Sequence, residues 1–316
     1  MPTAFPQVKV GVVQATPALF NLAETVERVC HWIAVGAERK CDLLLFPESF
    51  IPCYPRGLSF DAVIGKRTDR AREVWLDYWE NAIEVPSAPL DKICKAIKSA
   101  HLMVALGVTE KEKNGGSLHC SLLYFDRLGN LIGKHRKLKP TGLERLIWGE
   151  SDGTTLTTIE CELGRIGGLI CWENYMPLAR MAMYNKGIDI YLVPTADARL
   201  TWQSTMQHIS LEGRCFVLAC NQFVKKSDYP QRYQSELEQE PEIMCPGGSV
   251  IYSPLGEAMA GPLWNEEGLL TAELDFSILA KSKLDFDCIG HYSRPDVFSL
   301  TVQGQPETIK LEPHIK

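Results

Sequence analysis

The chain has 316 residues, 45% of them hydrophobic and 23% charged, with a formal net charge of -6. That balance suits a globular enzyme with a sizeable core and argues against a nucleic-acid binder, which would carry a basic face. No apolar run approaches the length of a membrane span, and MPTAFPQVKV lacks the basic and apolar regions of a signal peptide, so a cytoplasmic protein without membrane contact is expected.

Strand-like and helix-like stretches alternate from the start. VKVGVVQA (8–15) reads as a buried strand, and Leu22, Val26, Val29, Ile33 and Ala37 recur at helical spacing. CDLLLFPES (41–49) is an apolar strand ended by proline; the Gly-, Pro- and aromatic-rich stretch after it reads as a long loop over a cleft. A helix holding Trp75, Tyr78 and Trp79 follows, then one with Leu90, Ile93, Cys94 and Ile97 on a single stripe. LMVALGV (102–108) and HCSLLYFD (119–126) form a hairpin across Asn114-Gly115-Gly116.

GRIGGLICWENYMP (164–177) is a strand–turn–helix, with a strand over Ile166 to Ile170 and a new helical stripe at Leu178, Met181 and Ala182. IDIYLVPTA (188–196) is a strand, 200–213 a helix and CFVLACNQF (215–223) a strand. The polar stretch 225–242 reads as an exposed loop, while GGSVIYSPLGE (247–257) and LLTAELDF (269–276) read as a closing hairpin. The rest, from about Lys281, is an irregular tail. No linker or composition break divides the chain, so one domain over 1–316 of α/β class is expected.

The eleven cysteines are scattered without a CxxC pair, which fits a reducing compartment with one reactive thiol among packing thiols. The seven histidines, His314 included, show no metal spacing, and His208 with Glu212 marks a local helical contact. GxSxG and HExxH are both missing. Cys171 ends a strand beside a helix N-terminus, a place where a thiolate is stabilised; a small buried core residue is the competing reading. Glu48 stands beyond the apolar strand DLLLF, where burial raises a carboxyl pKa and suits a general base; a capping role is the alternative. In KHRKLKPT (134–141) the cations alternate on an extended segment, so one of them points inward.

Taken together, FPES (46–49), HRKLKPT (135–141) and LICWEN (169–174) resemble the nitrilase branch of the carbon–nitrogen hydrolase superfamily. The likeness runs from VKVGVVQA to HYSRP (291–295). YPRG, IGKRT and PTADAR are most similar to plant-type nitrilases acting on arylacetonitriles and β-cyanoalanine. The resemblance implies Cys171 as nucleophile, Glu48 as base, Lys137 as charge stabiliser and Glu144, in PTGLER, as a second carboxylate. It also implies a four-layer αββα sandwich, no metal or organic cofactor, a small-molecule nitrile as substrate, and a homodimer or larger spiral homo-oligomer. This chain departs from the pattern at Ser49 and Tyr175. Tyr54, Trp172, Thr195 and Ala196 are the candidates for the substrate pocket.

The expected reaction is hydrolysis of a nitrile to acid and ammonia through a cysteine thioimidate and thioester. An amidase or N-carbamoyl hydrolase on the same scaffold is the nearest alternative; a non-catalytic filament-forming or binding protein is the alternative of another class.

Overall fold

A computed structural model describes residues 7–304 and 308–311; the first residues of MPTAFPQVKV and His314 lie outside that range. In the first half, β1 (Gln7–Gln14), β2 (Leu43–Leu45), β3 (Ile83–Glu84), β4 (Met103–Lys111), β5 (Leu118–Phe125) and β6 (Leu131–Arg136) alternate with α1 (Leu22–Glu38), α2 (Asp69–Asn81) and α3 (Ala88–Ala100). The second half supplies β7 (Thr158–Cys161), β8 (Gly164–Gly168), α4 (Pro177–Asn185), β9 (Ile190–Pro194), α5 (Leu200–Gly213), β10 (Phe216–Cys220), β11 (Phe223–Lys225), β12 (Ile243–Tyr252) and β13 (Ala258–Trp264). Then β14 (Gly268–Asp275), α6 (Ser277–Ser282) and β15 (Thr308–Lys310) close the described chain.

The strands make two mixed sheets. One runs β14-β1-β2-β4-β5-β6, with β3 beside β4; the other runs β11-β12-β10-β9-β8-β7-β15, with β13 on β12. Strand periodicity decides the layers. Leu43 and Leu45 face the middle of the molecule with Ile190 and Leu192 of the other sheet, forming the inter-sheet core. Leu44 points the other way, under the apolar stripe of α1 (Val26, Val29, Ile33) and of α3 (Ile93, Ile97). Tyr191 and Val193 likewise face Met183 of α4 and Trp202, Met206 and Ile209 of α5. The result is the αββα sandwich.

Several expectations need correction. The stretches 247–257 and 269–276 do not pair with each other. β12 takes β13 as its hairpin partner, and β14 crosses to the other sheet, antiparallel to β1 from Val8↔Leu274 to Val13↔Leu269. Alternation alone cannot tell which of two sheets a strand joins. The stretch 225–242 is exposed only in part, because Tyr229, Tyr233 and Leu237, four apart, are buried in the inter-sheet core. On α4 the buried stripe is Ala179, Ala182 and Met183, while Leu178 is 70% exposed. The tail is irregular over most of its length, yet β15 adds to the edge of β7 in parallel, and Ile289, Leu300 and Val302 pack on the outer layer.

Candidate active site

The candidate residues converge where strands end. Beyond β2 the chain stays extended, and the Phe46 N–H donates to Ala105 O at 2.9 Å before Pro47 and Glu48. The neighbouring position on β4 is Gly107, where a Cβ would come within 2.0 Å of Pro47 O; glycine alone lets these backbones touch. Glu48 is fully buried. Its Oε1 accepts from Lys137 Nζ at 2.6 Å and from Cys120 Sγ at 3.5 Å, and Gln222 Nε2 donates to its backbone carbonyl at 2.8 Å. Oε2 is buried without a hydrogen-bond partner.

Lys137 follows β6, and its N–H donates to Cys120 O at 2.8 Å, which carries the pairing one residue further. The pleat sends Lys134 and Arg136 to Glu110 on one face, at 2.5 and 2.8 Å, and His135 and Lys137 into the core on the other. The inward cation is therefore Lys137. Its Nζ also donates to Glu144 Oε2 at 2.7 Å and lies 5.7 Å from the Trp148 ring centre. Glu144 sits in the single 3-10 turn Gly142–Leu146; its Oε2 accepts from the Thr141 N–H at 2.6 Å and its Oε1 from Tyr54 OH at 2.8 Å.

Cys171 opens the 3-10 turn Cys171–Tyr175 with φ of 50°, a left-handed value that a non-glycine residue adopts only under constraint. The constraint is visible: Asn174 Nδ2 donates to Leu169 O at 3.0 Å and to Cys171 O at 2.8 Å. Thr195, just past β9, donates its hydroxyl to Cys171 Sγ at 3.2 Å.

A cavity of about 370 Å³ opens above the sulfur, walled by Tyr54, Arg56, Trp172, Ala196, Asp197 and Arg199. Trp172 is fixed edge-on, its Nε1 donating to Asp197 Oδ2 at 2.8 Å. Thus Tyr54, Trp172 and Ala196 line this space, whereas Thr195 is buried behind it and touches the sulfur itself. Ser49 turns away from the site, its hydroxyl bonded to Thr109 Oγ1 at 2.6 Å and Cys53 O at 2.9 Å. Tyr175 packs edge-on between Trp172 and Trp202.

Burial, with the Glu48 carboxylate adding to it, pushes the Cys171 thiol well above its ordinary value. Burial also raises the Glu48 carboxyl, against the pull of Lys137. For Lys137, burial works against the charge, but Glu48 and the other surrounding acidic groups hold its pKa well above the usual lysine range. The cluster therefore sets the Cys171 thiol beside a buried carboxyl group that Lys137 Nζ holds at 2.6 Å.

Four further residues are not among the sequence candidates. Glu173 accepts from Ile170 N–H and Leu138 N–H, both at 2.7 Å, and from His135 Nε2. The alternation that turns Lys137 inward does the same for His135. Asp197 and Arg56 carry no distinctive spacing, although Arg56 lies in YPRG. Among the described residues no three His, Cys, Asp or Glu side chains are grouped to hold a metal ion. His208 meets its helical neighbour Glu212 at 3.5 Å.

A carbon-nitrogen hydrolase family model matches residues 9–283. The chain is 45% identical over 301 residues to an aliphatic nitrilase of Sinorhizobium fredii, covering 95% of this chain and 97% of that protein. It is 44% identical over 307 residues to the bifunctional nitrilase/nitrile hydratase NIT4A of Lupinus angustifolius, covering 95% and 87%. Among solved structures, Saccharomyces cerevisiae Nit3, a nitrilase-superfamily member, superposes with a TM-score of 0.71 at 17% identity over 92% of this chain and 97% of that one. A carbon-nitrogen hydrolase from Helicobacter pylori gives 0.70 at 18% identity, with the same coverage.

Proposed function

The chain belongs to the carbon–nitrogen hydrolase family, and we propose that it hydrolyses organic nitriles to carboxylic acid and ammonia through a covalent intermediate on Cys171. One observation carries the mechanism: Lys137 Nζ bridges Glu48 and Glu144 at 2.6 and 2.7 Å beside the thiol that Thr195 holds.

A nitrile carbon is a weak electrophile and needs a strong nucleophile together with stabilisation of charge on nitrogen. Glu48, made more basic by burial, takes the thiol proton as Cys171 attacks, so the thiolate exists only when it is used. The carbon–sulfur bond forms, one π bond of the nitrile breaks, and the nitrogen receives the proton from Glu48, giving a thioimidate. Lys137 places its positive charge where that nitrogen carries the developing negative charge. Glu48 then takes a proton from water as it adds to the thioimidate carbon and returns it to the nitrogen. The hydroxyl of this tetrahedral intermediate then passes its proton through Glu48 to the nitrogen, the carbon–nitrogen bond breaks, and ammonia leaves a thioester. A second water, activated the same way, displaces Cys171 and releases the acid. Glu144 orients Lys137 and, through Tyr54, fixes the near wall of the cavity. Side chains and water supply every proton in this sequence.

The relatives named bifunctional nitrilase/nitrile hydratase motivate a second reading at the tetrahedral step. If sulfur leaves instead of ammonia, amide is released. We assign acid as the main product, because the Lys137 charge and the proton held by Glu48 both favour loss of nitrogen. The test is to quantify ammonia, acid and amide from β-cyanoalanine, phenylacetonitrile and a short aliphatic dinitrile. Amide as the dominant product from every nitrile would reverse the assignment; turnover of amides but of no nitrile would favour the amidase alternative. We further place the protein in the cytoplasm as a single-domain homo-oligomer. Among the described residues no helix is long and apolar enough to cross a membrane.

A further inference from the structure

We propose that Thr195 is a catalytic residue for the departure of sulfur: its hydroxyl stabilises charge on Cys171 Sγ as the carbon–sulfur bond breaks, and so governs how much amide leaves beside the acid. This rests on the nitrilase reading above and assigns the branch between its two products to one side chain.

Thr195 follows β9, and its N–H donates to Cys220 O at 2.9 Å, which continues the pairing of β9 with β10 beyond Pro194. The residue is 1% exposed. Its Oγ1 accepts from the Asp197 N–H at 3.0 Å, and its hydroxyl donates to Cys171 Sγ at 3.2 Å. A hydroxyl has a single proton, and the backbone donor occupies a lone pair, so that proton is directed at the sulfur. Asp197 is held in turn. Its carbonyl accepts from Asn221 Nδ2 at 3.1 Å and its carboxylate from Trp172 Nε1 at 2.8 Å. Trp172 adjoins Cys171 in the chain, so donor and sulfur are fixed in one frame.

Accepting from Asp197 would anchor the loop without the hydroxyl proton; the donation to sulfur is what that role leaves unexplained. Sulfur accepts weakly as a thiol or thioester and strongly as a thiolate, because a hydrogen bond to an ionised acceptor is roughly twice as strong. The contact therefore favours steps in which sulfur gains charge. The carbon of the tetrahedral intermediate bears a hydroxyl, an amine and the sulfur, and two exits compete. Loss of ammonia leaves the sulfur bonded and uncharged; Lys137 and Glu48 serve that exit. In the other, the carbon–sulfur bond breaks with its electron pair going to sulfur. The hydroxyl proton passes through Glu48 to that sulfur, and the amide leaves with the thiol restored. Thr195 serves this second exit. It serves thioester cleavage in the same way, but that step comes after the branch.

The experiment quantifies amide and acid from phenylacetonitrile and from methoxyacetonitrile, whose α-oxygen makes the nitrogen less basic and slows its loss. Thr195→Val keeps the shape and removes the O–H. It should lower the amide-to-acid ratio about ten-fold, and Thr195→Ser should restore it. A packing role would give the reverse order of the two variants, and a loosened Asp197 loop would lower both products without changing their ratio. In the absence of nitrile, iodoacetamide should alkylate Cys171 about three-fold more slowly in Thr195→Val, read by peptide mass spectrometry. There, about ten-fold less thiolate is partly offset by its greater nucleophilicity. This readout carries the test where the wild type releases no amide, and Thr195→Ala replaces the Val variant if that one fails to fold. An amide-to-acid ratio unchanged or raised in Thr195→Val, or alkylation at the wild-type rate, overturns the proposal. Absence of ammonia and amide from every nitrile overturns the nitrilase reading itself, whatever the alkylation rates.

Discussion

Glu173 and His135 meet at 3.0 Å with both side chains fully buried, and this pair ties the turn of Cys171 to the strand of Lys137. The other ring nitrogen of His135 lies 2.8 Å from Thr155 O, so both nitrogens face acceptors and both carry protons. Burial opposes that charge, but the Glu173 carboxylate outweighs it and raises the His135 pKa. Because the folded value is raised, the pair's contribution is full below the ordinary histidine pKa of 6.5 and fades as pH climbs through the folded value.

Glu173→Gln should therefore cost about 3 kcal/mol of stability, since it breaks a buried pair and presents an amide N–H₂ to a backbone donor. It should also lower kcat, because one of Ile170 and Leu138, which donate to different oxygens of Glu173, loses the acceptor that fixes it. Urea unfolding between pH 6 and 9 should show wild-type stability declining with pH and the variant's declining less. Parallel profiles would remove the ion pair from the account.

Glu48→Gln should lose about 10²–10⁴ in kcat, the usual range for a general base, and more if both water steps depend on it. Lys137→Ala should lose about 10²–10³. Steady-state kinetics at saturating nitrile separates these losses from weakened binding. Near-normal kcat in either variant would remove that residue from the mechanism.

Glu110 holds Lys134 and Arg136 on the outer face of the strand that turns Lys137 inward. Burial raises its carboxyl, but the hydrogen bonds from Arg136 and Lys134 prevail and bring it to about 2 from 4.5. The lowered value means its stabilisation is present above pH 4.5 and is lost as pH falls through about 2. Glu110→Gln should be less stable at pH 7 by about 2–3 kcal/mol, and its stability should change less than wild type's between pH 5 and 2. Equal acid sensitivity of the two proteins would contradict this.

The exposed apolar side chains of α4 and α5, Leu178 at 70% and Leu200 at 77%, mark the face on which we expect a second subunit. Leu178→Glu combined with Leu200→Glu should yield a monomer of reduced activity by light scattering and assay. A wild-type chain that is monomeric and fully active would refute the idea.

Much of the site was legible because its chemistry is local. FPE, RKLKP and CWEN each lie at a strand end, and a pleat of period two requires one of the cations to point inward, the resemblance naming Lys137 as that one. What the sequence hid was long-range or ambiguous in period. The partner of β14 depends on a crossing between sheets. The burial of Tyr229, Tyr233 and Leu237 was masked by the charges around them. The state of the Cys171 thiol depends on desolvation by residues from both halves of the chain, which no motif records. His135 was within reach, since it shares the pleat face of Lys137.

Cys171 as the covalent nucleophile is the central claim, and trapping it is the most direct test. Wild-type enzyme mixed with a good nitrile, quenched in acid during turnover and mapped by peptide mass spectrometry should carry an adduct on the peptide containing Cys171. Its mass should be that of the whole nitrile for the thioimidate, or of the acyl group for the thioester. Cys171→Ala treated alike should carry none and release no ammonia. An adduct on Cys120, whose sulfur also touches Glu48 at 3.5 Å, or ammonia release by Cys171→Ala, would contradict the account.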